Sequence, residues 1–248
     1  MRLKLAMLTA LLLACSSVWA DEAVVSTFQS ANEAYRHAQF EEAFKKYEQA
    51  AQKINDANVY YNMGNAAFKM NKVGLAILNY ERARQLNPRN RDILENLQYV
   101  QSGLEYKVED KRSWFVRWND QLLSWVKLRE FGYALLVVYI LLLGRGCLGL
   151  ILKKQLTFKS FDRFLIICLI LIAIGMGLKY FNQQIRQDGV VIEPNVKVHF
   201  GPSDDDRVAF RLNEGMQVDV IDKSNDWYRI SLVNGEIGWV HRKGLGLV

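Results

Sequence analysis

Cysteine is scarce: the 248 residues hold three, Cys15, Cys147 and Cys168, each inside an apolar run. The polar stretches therefore offer no pair for a structural disulfide and no thiol nucleophile. Proline is as rare, at three, and half of the residues are apolar, which excludes a disordered or collagen-like chain. The three histidines, His37, His199 and His241, fall in different segments, so spacing suggests neither a metal site nor a catalytic pair. GxSxG, the phosphate-binding glycine loop and HExxH are all missing. Asp204-Asp205-Asp206 reads either as a cation-attracting run or as a solvated turn, the second being the simpler account. No catalytic residue, metal or cofactor is expected, and an enzyme such as a wall hydrolase is disfavoured because no exported cysteine and no recognisable catalytic motif is present.

What is present is unevenly distributed. The net charge is +6 and the mean hydropathy is −0.06, but residues 21–106 carry 10 basic and 11 acidic side chains and residues 182–248 are also slightly acidic. The positive surplus lies mostly in 131–181, the most apolar part of the chain. A nucleic-acid binder would place that surplus on a soluble face, so no nucleic-acid partner is expected.

Residues 1–20 have the layout of a signal peptide. Arg2 and Lys4 precede the apolar run Leu5–Leu13, and Val18-Trp19-Ala20 forms a small-residue cleavage site. Lipidation at Cys15 after Leu12-Leu13-Ala14, or an uncleaved anchor, are the rival readings. Two further runs, 132–152 and 164–181, are long enough for transmembrane helices, at ~1.5 Å per residue against a hydrocarbon core of ~30 Å. Arg145 in the first is expected to snorkel outward, with a functional role as the alternative, and Lys179 in the second is expected to reach headgroups. Between them, residues 153–163 hold Lys153, Lys154, Lys159 and Arg163 against Asp162 alone, as a cytoplasmic loop does. The export signal and the positive loop give one topology: a bacterial inner-membrane protein with two spans and both soluble parts in the periplasm.

Residues 24–106 contain a repeat with a shift of 33. Ala31/Gly64, Asn32/Asn65, Ala43/Ala76, Tyr47/Tyr80 and Ala50/Ala83 superpose. Gly64, Ala76, Tyr80, Ala83 and Pro88 stand at the spacings of the tetratricopeptide repeat (TPR), which this stretch closely resembles. Small residues let two antiparallel helices approach and proline stops the second one. A third helix from Arg91 to Leu104, with Ile93, Leu94, Leu97, Tyr99 and Val100 apolar, reads as the cap. Fewer than three repeats are marginal alone, so the unit must lean on that cap, a partner or the membrane. The resemblance implies a partner-binding groove lined by Asn32, Tyr35, Arg36, Tyr61, Asn62, Asn65 and Lys69. Capture of a C-terminal carboxylate is rejected, because Phe28, Asp92 and Asn96 stand where basic residues are needed. The alternative is that the asparagines only bond backbone between helices.

Residues 107–131 form a tryptophan-rich approach to the first span. Trp114, Trp118, Leu122 and Trp125 share one helical face, suited to the headgroup level or to packing under the TPR unit. From Gly189 the period changes to two: Val196/Val198/Phe200, Met216/Val218/Val220 and Trp227/Arg229/Ser231 alternate, with a hairpin turn at Asn234-Gly235. Five or six strands over 189–248 predict a small all-β barrel. KVHFGPS, LNEGMQVDVID and DWYRISLVNGEIGWVH resemble bacterial SH3-like domains. Trp227, Tyr228 and Trp239 are the candidate ligand-binding residues, with core filling the competing role for Trp239.

Signal, TPR pair, two spans and SH3-like barrel, in that order, with GNAAFKMNKVGLAILNYERARQLNPRNRDILENLQYVQ followed by KVEDK, resemble the BatE-type aerotolerance-operon proteins. The resemblance implies a noncatalytic membrane scaffold that works with membrane-anchored von Willebrand A-domain proteins and a MoxR-type AAA+ ATPase. The other function in view is binding or sensing of peptidoglycan through the barrel.

Overall fold

The computed structural model describes residues 24–104, 112–151, 159–185 and 187–248. The signal-peptide reading of residues 1–20, and Lys153 and Lys154 of the positive loop, lie outside the described residues. The chain divides into two compact units. One combines the described residues up to 104 with Asp188–Leu232 and Glu236–Val248; the other holds the helices between.

In the first unit, helix α1 covers residues 24–36, α2 Phe40–Ala51, α3 Ala57–Lys69, α4 Val73–Leu86 and α5 Arg91–Ser102. The 33-residue period survives in the packing: α2 buries Ala43, Tyr47 and Ala50, and α4 buries Ala76, Tyr80 and Ala83. A Cβ on Gly64 would stand 2.6 Å from Tyr80 Cδ1, so the second crossing admits only glycine. Ala31, one period earlier, is 0% exposed in the cluster that holds Tyr47, so the first crossing has room for one methyl. The turns repeat as well. Ala38 and Asn71 both have φ +59°, and Gln39 N–H donates to Ala34 O at 2.9 Å as Lys72 N–H does to Ala67 O at 3.0 Å. These are left-handed helix terminations, which asparagine tolerates and alanine adopts at a cost of ~1–2 kcal/mol. Asp56 caps α3 by accepting from Asn58 N–H at 2.8 Å, and Asn90 caps α5 by accepting from Ile93 N–H at 3.2 Å. Helix α5 closes the stack through Ile93, Leu97 and Val100; Tyr99, read with them from the sequence, is 67% exposed instead.

The same unit contains seven strands: β1 Gln187–Val191, β2 Val196–His199, β3 Val208–Leu212, β4 Gln217–Ser224, β5 Trp227–Ser231, β6 Ile237–His241 and β7 Leu245–Leu247. They form one sheet in the order β3-β2-β6-β5-β4-β1-β7. That is one strand more than the alternation predicts, starting two residues earlier. Val191, Val198, Leu212, Val218, Val220, Tyr228, Ile230 and Val240 make the core. In β5 the inward phase is therefore Tyr228 and Ile230, while Arg229 is exposed. Phe200, read in phase with Val198, is 61% exposed, because β2 ends at His199 where its register against β3 shifts. Gly235 has φ +92°, as the Asn-Gly hairpin requires, and Leu232 N–H donates to Glu236 O at 2.8 Å.

The second unit comprises α6 Trp114–Trp125, α7 Leu128–Ile151 and α8 Lys159–Ile185. Leu128–Leu148 and Phe161–Tyr180 are long and apolar enough to cross a membrane, and they start four and three residues ahead of the runs read from the sequence. A Cβ on Gly175, late in α8, would stand 3.0 Å from Phe131, early in α7. Arg145, late in α7, pairs through Nε with Asp162 Oδ1, early in α8, at 2.5 Å. The two helices are thus antiparallel. Both cations of these apolar helices have partners within the unit. Arg145 is held by a carboxylate of the neighbouring helix, and Lys179 is buried, donating through Nζ to the carbonyl of Leu123 at 2.5 Å. Leu123 lies in the last turn of α6, whose carbonyls have no partner within the helix, so an ammonium there finds an acceptor without reaching water.

Candidate interaction surfaces

The TPR face is built from α1, α3 and α5, and the structure brings most of the expected residues together there. Asn32 Oδ1 accepts from Tyr47 Oη at 2.6 Å and from Asn62 Nδ2 at 3.3 Å. One period on, Asn65 Oδ1 accepts from Tyr80 Oη at 2.7 Å and from Asn96 Nδ2 at 3.0 Å, and Asn96 Nδ2 also reaches Tyr61 Oη at 3.0 Å. Asparagine serves because its carbonyl satisfies a tyrosine hydroxyl buried at the helix crossing, which would otherwise lose its water without replacement. The asparagines do bond between helices, but to side chains and not to backbone as the alternative reading had it. Tyr35 packs edge-on to Phe40 at 5.3 Å between ring centres, while Arg36 and Lys69 are exposed at the ends of α1 and α3. Phe28 packs on Tyr47 at 5.7 Å and Asn96 belongs to the ladder, so two of the three positions of the rejected carboxylate clamp are engaged within the unit, one by packing and one by hydrogen bonds.

Burial raises the phenols of Tyr47 and Tyr80. The Tyr47 hydroxyl is pushed up to about 12, first by burial and then by Tyr35, with Arg36 acting against both. Tyr80 is raised chiefly by burial, then by Tyr61 and Tyr35, with the hydrogen bond from Asn96 opposing.

On the barrel the three expected residues separate. Register places Trp227 opposite His241, and Trp239 opposite both Arg229 and His199, so these side chains share one sheet face. Tyr228 points the other way, into the core, and cannot join a shelf with the tryptophans. Trp227 is only 7% exposed, edge-on between His199 at 5.3 Å and His241 at 5.4 Å. Trp239 is half-buried and lies outside the core cluster, so it is the tryptophan available to a ligand. His199 Nδ1 donates to Asp206 O at 2.7 Å and Asp205 N–H donates to Ser203 Oγ at 3.2 Å. Such bonds make the aspartate run a folded turn, and among the described residues no group of three ligating side chains could hold a metal ion.

One surface was not read from the sequence at all: helix α4 docks against the barrel. Glu214 Oε1 accepts from Gly74 N–H at 2.7 Å, and Glu81 Oε1 accepts from Gln217 Nε2 at 2.5 Å. Arg82 donates twice to the carbonyl of Leu247, from Nε at 3.0 Å and Nη2 at 2.6 Å. Val190, Ile192 and Val248 enter the same apolar cluster as Ala76, Ile77, Leu78 and Tyr80. Burial lowers the pKa of Arg82, with Tyr60 and Glu48 opposing. Glycines allow the approach: a Cβ on Gly74 would stand 2.4 Å from Val191 O. The available signal was Gly74 itself, since glycine inside a helix costs about 1 kcal/mol against alanine without a reason such as this.

A family model for the tetratricopeptide repeat matches residues 57–90, which are α3 and α4 with their flanks. A second, for the bacterial SH3 domain, matches residues 194–246, from β2 to β7. No curated protein matches the chain. The protein thus joins two interaction modules, a TPR unit and a bacterial SH3 domain. Strand β1, ahead of the matched SH3 segment, supplies Val190 to the core they share.

Proposed function

We propose that this protein is a noncatalytic inner-membrane scaffold whose TPR face and SH3 domain are both presented to the periplasm. The docking of α4 on the barrel carries the reading. Two segments that share one apolar core occupy one compartment, so the chain between them crosses a membrane an even number of times. The two apolar helices meet that requirement as a hairpin, and the charge of residues 153–163 favours the cytoplasm for its turn. The barrel covers α4 and leaves the α1, α3 and α5 ladder for a partner, with Arg36 and Lys69 at its edge. The resemblance to BatE-type proteins supports membrane-anchored von Willebrand A-domain proteins as those partners, with a MoxR-type ATPase in the same envelope-stress system. Photo-crosslinking from Tyr61 or Lys69 in the full chain tests this: capture of such a membrane component is expected, and self-crosslinks alone would overturn it.

A second reading has the SH3 domain bind peptidoglycan. Half-buried Trp239 beside exposed Arg229 favours it, since together they offer an apolar plane and a cation on one face. Sedimentation of the detergent-solubilised protein with peptidoglycan, lost in Trp239→Ala, is the expected result; equal sedimentation of both forms sinks it.

A further inference from the structure

We infer that α6 is a lipid-contacting helix lying in the headgroup layer, with Trp114, Trp118, Leu122 and Trp125 as its membrane face; this rests on the proposed membrane reading of α7 and α8. At about 100° per residue these four side chains fall within an arc of about 80°. They are 70, 54, 49 and 54% exposed, an unusual state for three tryptophans of one short helix. Leu123 projects from the opposite side and is buried.

The chain connection and one contact fix the level of α6 along the hairpin. Trp125 ends α6 three residues before Leu128, where the first apolar span begins. Lys179, one residue before the end of the second span at Tyr180, donates to the Leu123 carbonyl. The start of one span and the end of the other lie at the same end of an antiparallel pair, so α6 is held where hydrocarbon gives way to water. Indole suits that layer because its ring is apolar and its N–H reaches headgroup oxygens. The exposed face also continues the exposed apolar surface of α7, where Tyr133, Leu136 and Val137 are 54 to 64% exposed. The partner this surface fits is phospholipid.

The test uses the full chain reconstituted alone into phosphatidylcholine–phosphatidylglycerol vesicles, with no other protein. Flotation after an alkaline wash reports whether the spans insert. Tryptophan emission is then measured with lipids brominated near the top of the acyl chain, and with aqueous acrylamide. The expected result is strong bromolipid quenching with little acrylamide access. With Trp19 of the N-terminal apolar segment replaced by phenylalanine in both forms, the variant carrying Trp114→Phe, Trp118→Phe and Trp125→Phe should float equally well and lose most of the bromolipid quenching, because the remaining Trp227 and Trp239 lie in the barrel. If the protein floats but its emission is quenched by acrylamide and not by bromolipid, the face awaits a protein and the inference fails while the membrane reading stands. Failure to float overturns both.

Discussion

The Tyr80 hydroxyl donates to Asn65 Oδ1 at 2.7 Å, and 33 residues earlier Tyr47 makes the same bond to Asn32 at 2.6 Å. The sequence repeat is therefore also a repeat of one buried hydrogen bond at each helix crossing. Tyr80→Phe removes the donor and should destabilise the TPR unit by about 0.5–1.5 kcal/mol. Asn65→Ala should cost more, about 1–3 kcal/mol, since it leaves a buried hydroxyl without an acceptor. Urea titration followed by hydrogen exchange in α3 and α4 measures both. Equal losses would show that the asparagine does not satisfy the phenol.

Alkaline pH should weaken the same unit. Tyr47 is pushed from 10.0 to about 12, chiefly by burial, and Tyr80 is also raised. A raised folded-state value means the fold holds the proton more tightly than the unfolded chain does. The contribution is complete below the ordinary tyrosine value and is lost as the pH climbs toward the folded value. The urea midpoint of the helical signal should therefore hold steady up to about pH 10 and fall above it. Tyr47→Phe should flatten that dependence.

Gly74→Ala separates local from tertiary effects. On an isolated helix the change should gain about 1 kcal/mol. Here the new methyl would meet Val191 O at 2.4 Å, so β1 should exchange its amides faster while α4 keeps its protection. Arg82→Ala should open the same seam by removing two bonds to Leu247 O, each of the charge-assisted kind worth about 1.5–3 kcal/mol. Unchanged protection of β1 in both variants would remove the seam as a source of stability.

Arg145 and Asp162 can be tested by exchange. Arg145→Ala should lower the yield of folded protein in bilayers by leaving Asp162 without its cation, a loss of about 1–3 kcal/mol. The double swap, Arg145→Asp with Asp162→Arg, should recover much of it. No recovery would mean that Arg145 acts by reaching solvent and not through the pair.

The helices, the two long apolar runs and the strands were legible because each repeats a local rule over many residues. Asparagine, alanine and tyrosine recur every 33 positions, two runs are apolar nearly throughout, and valines alternate along the strands. The TPR face was legible at Asn32 and Asn65, though their role in holding Tyr47 and Tyr80 was not. Single side chains at the ends of elements were read less well. Phe200 turns outward where β2 stops, and Tyr228, grouped with Trp227 as a ligand-binding residue, points into the core.

Local pattern alone thus determined a TPR unit, two apolar helices and a small barrel, in that order. Tertiary structure decided how they serve one another. Whether Lys179 meets water or the Leu123 carbonyl, and whether Gly74 is a flaw in a helix or the opening for a barrel, depends on chain more than fifty residues away. Such contacts leave no period in the sequence, because each is made once and between segments whose own folding does not require it.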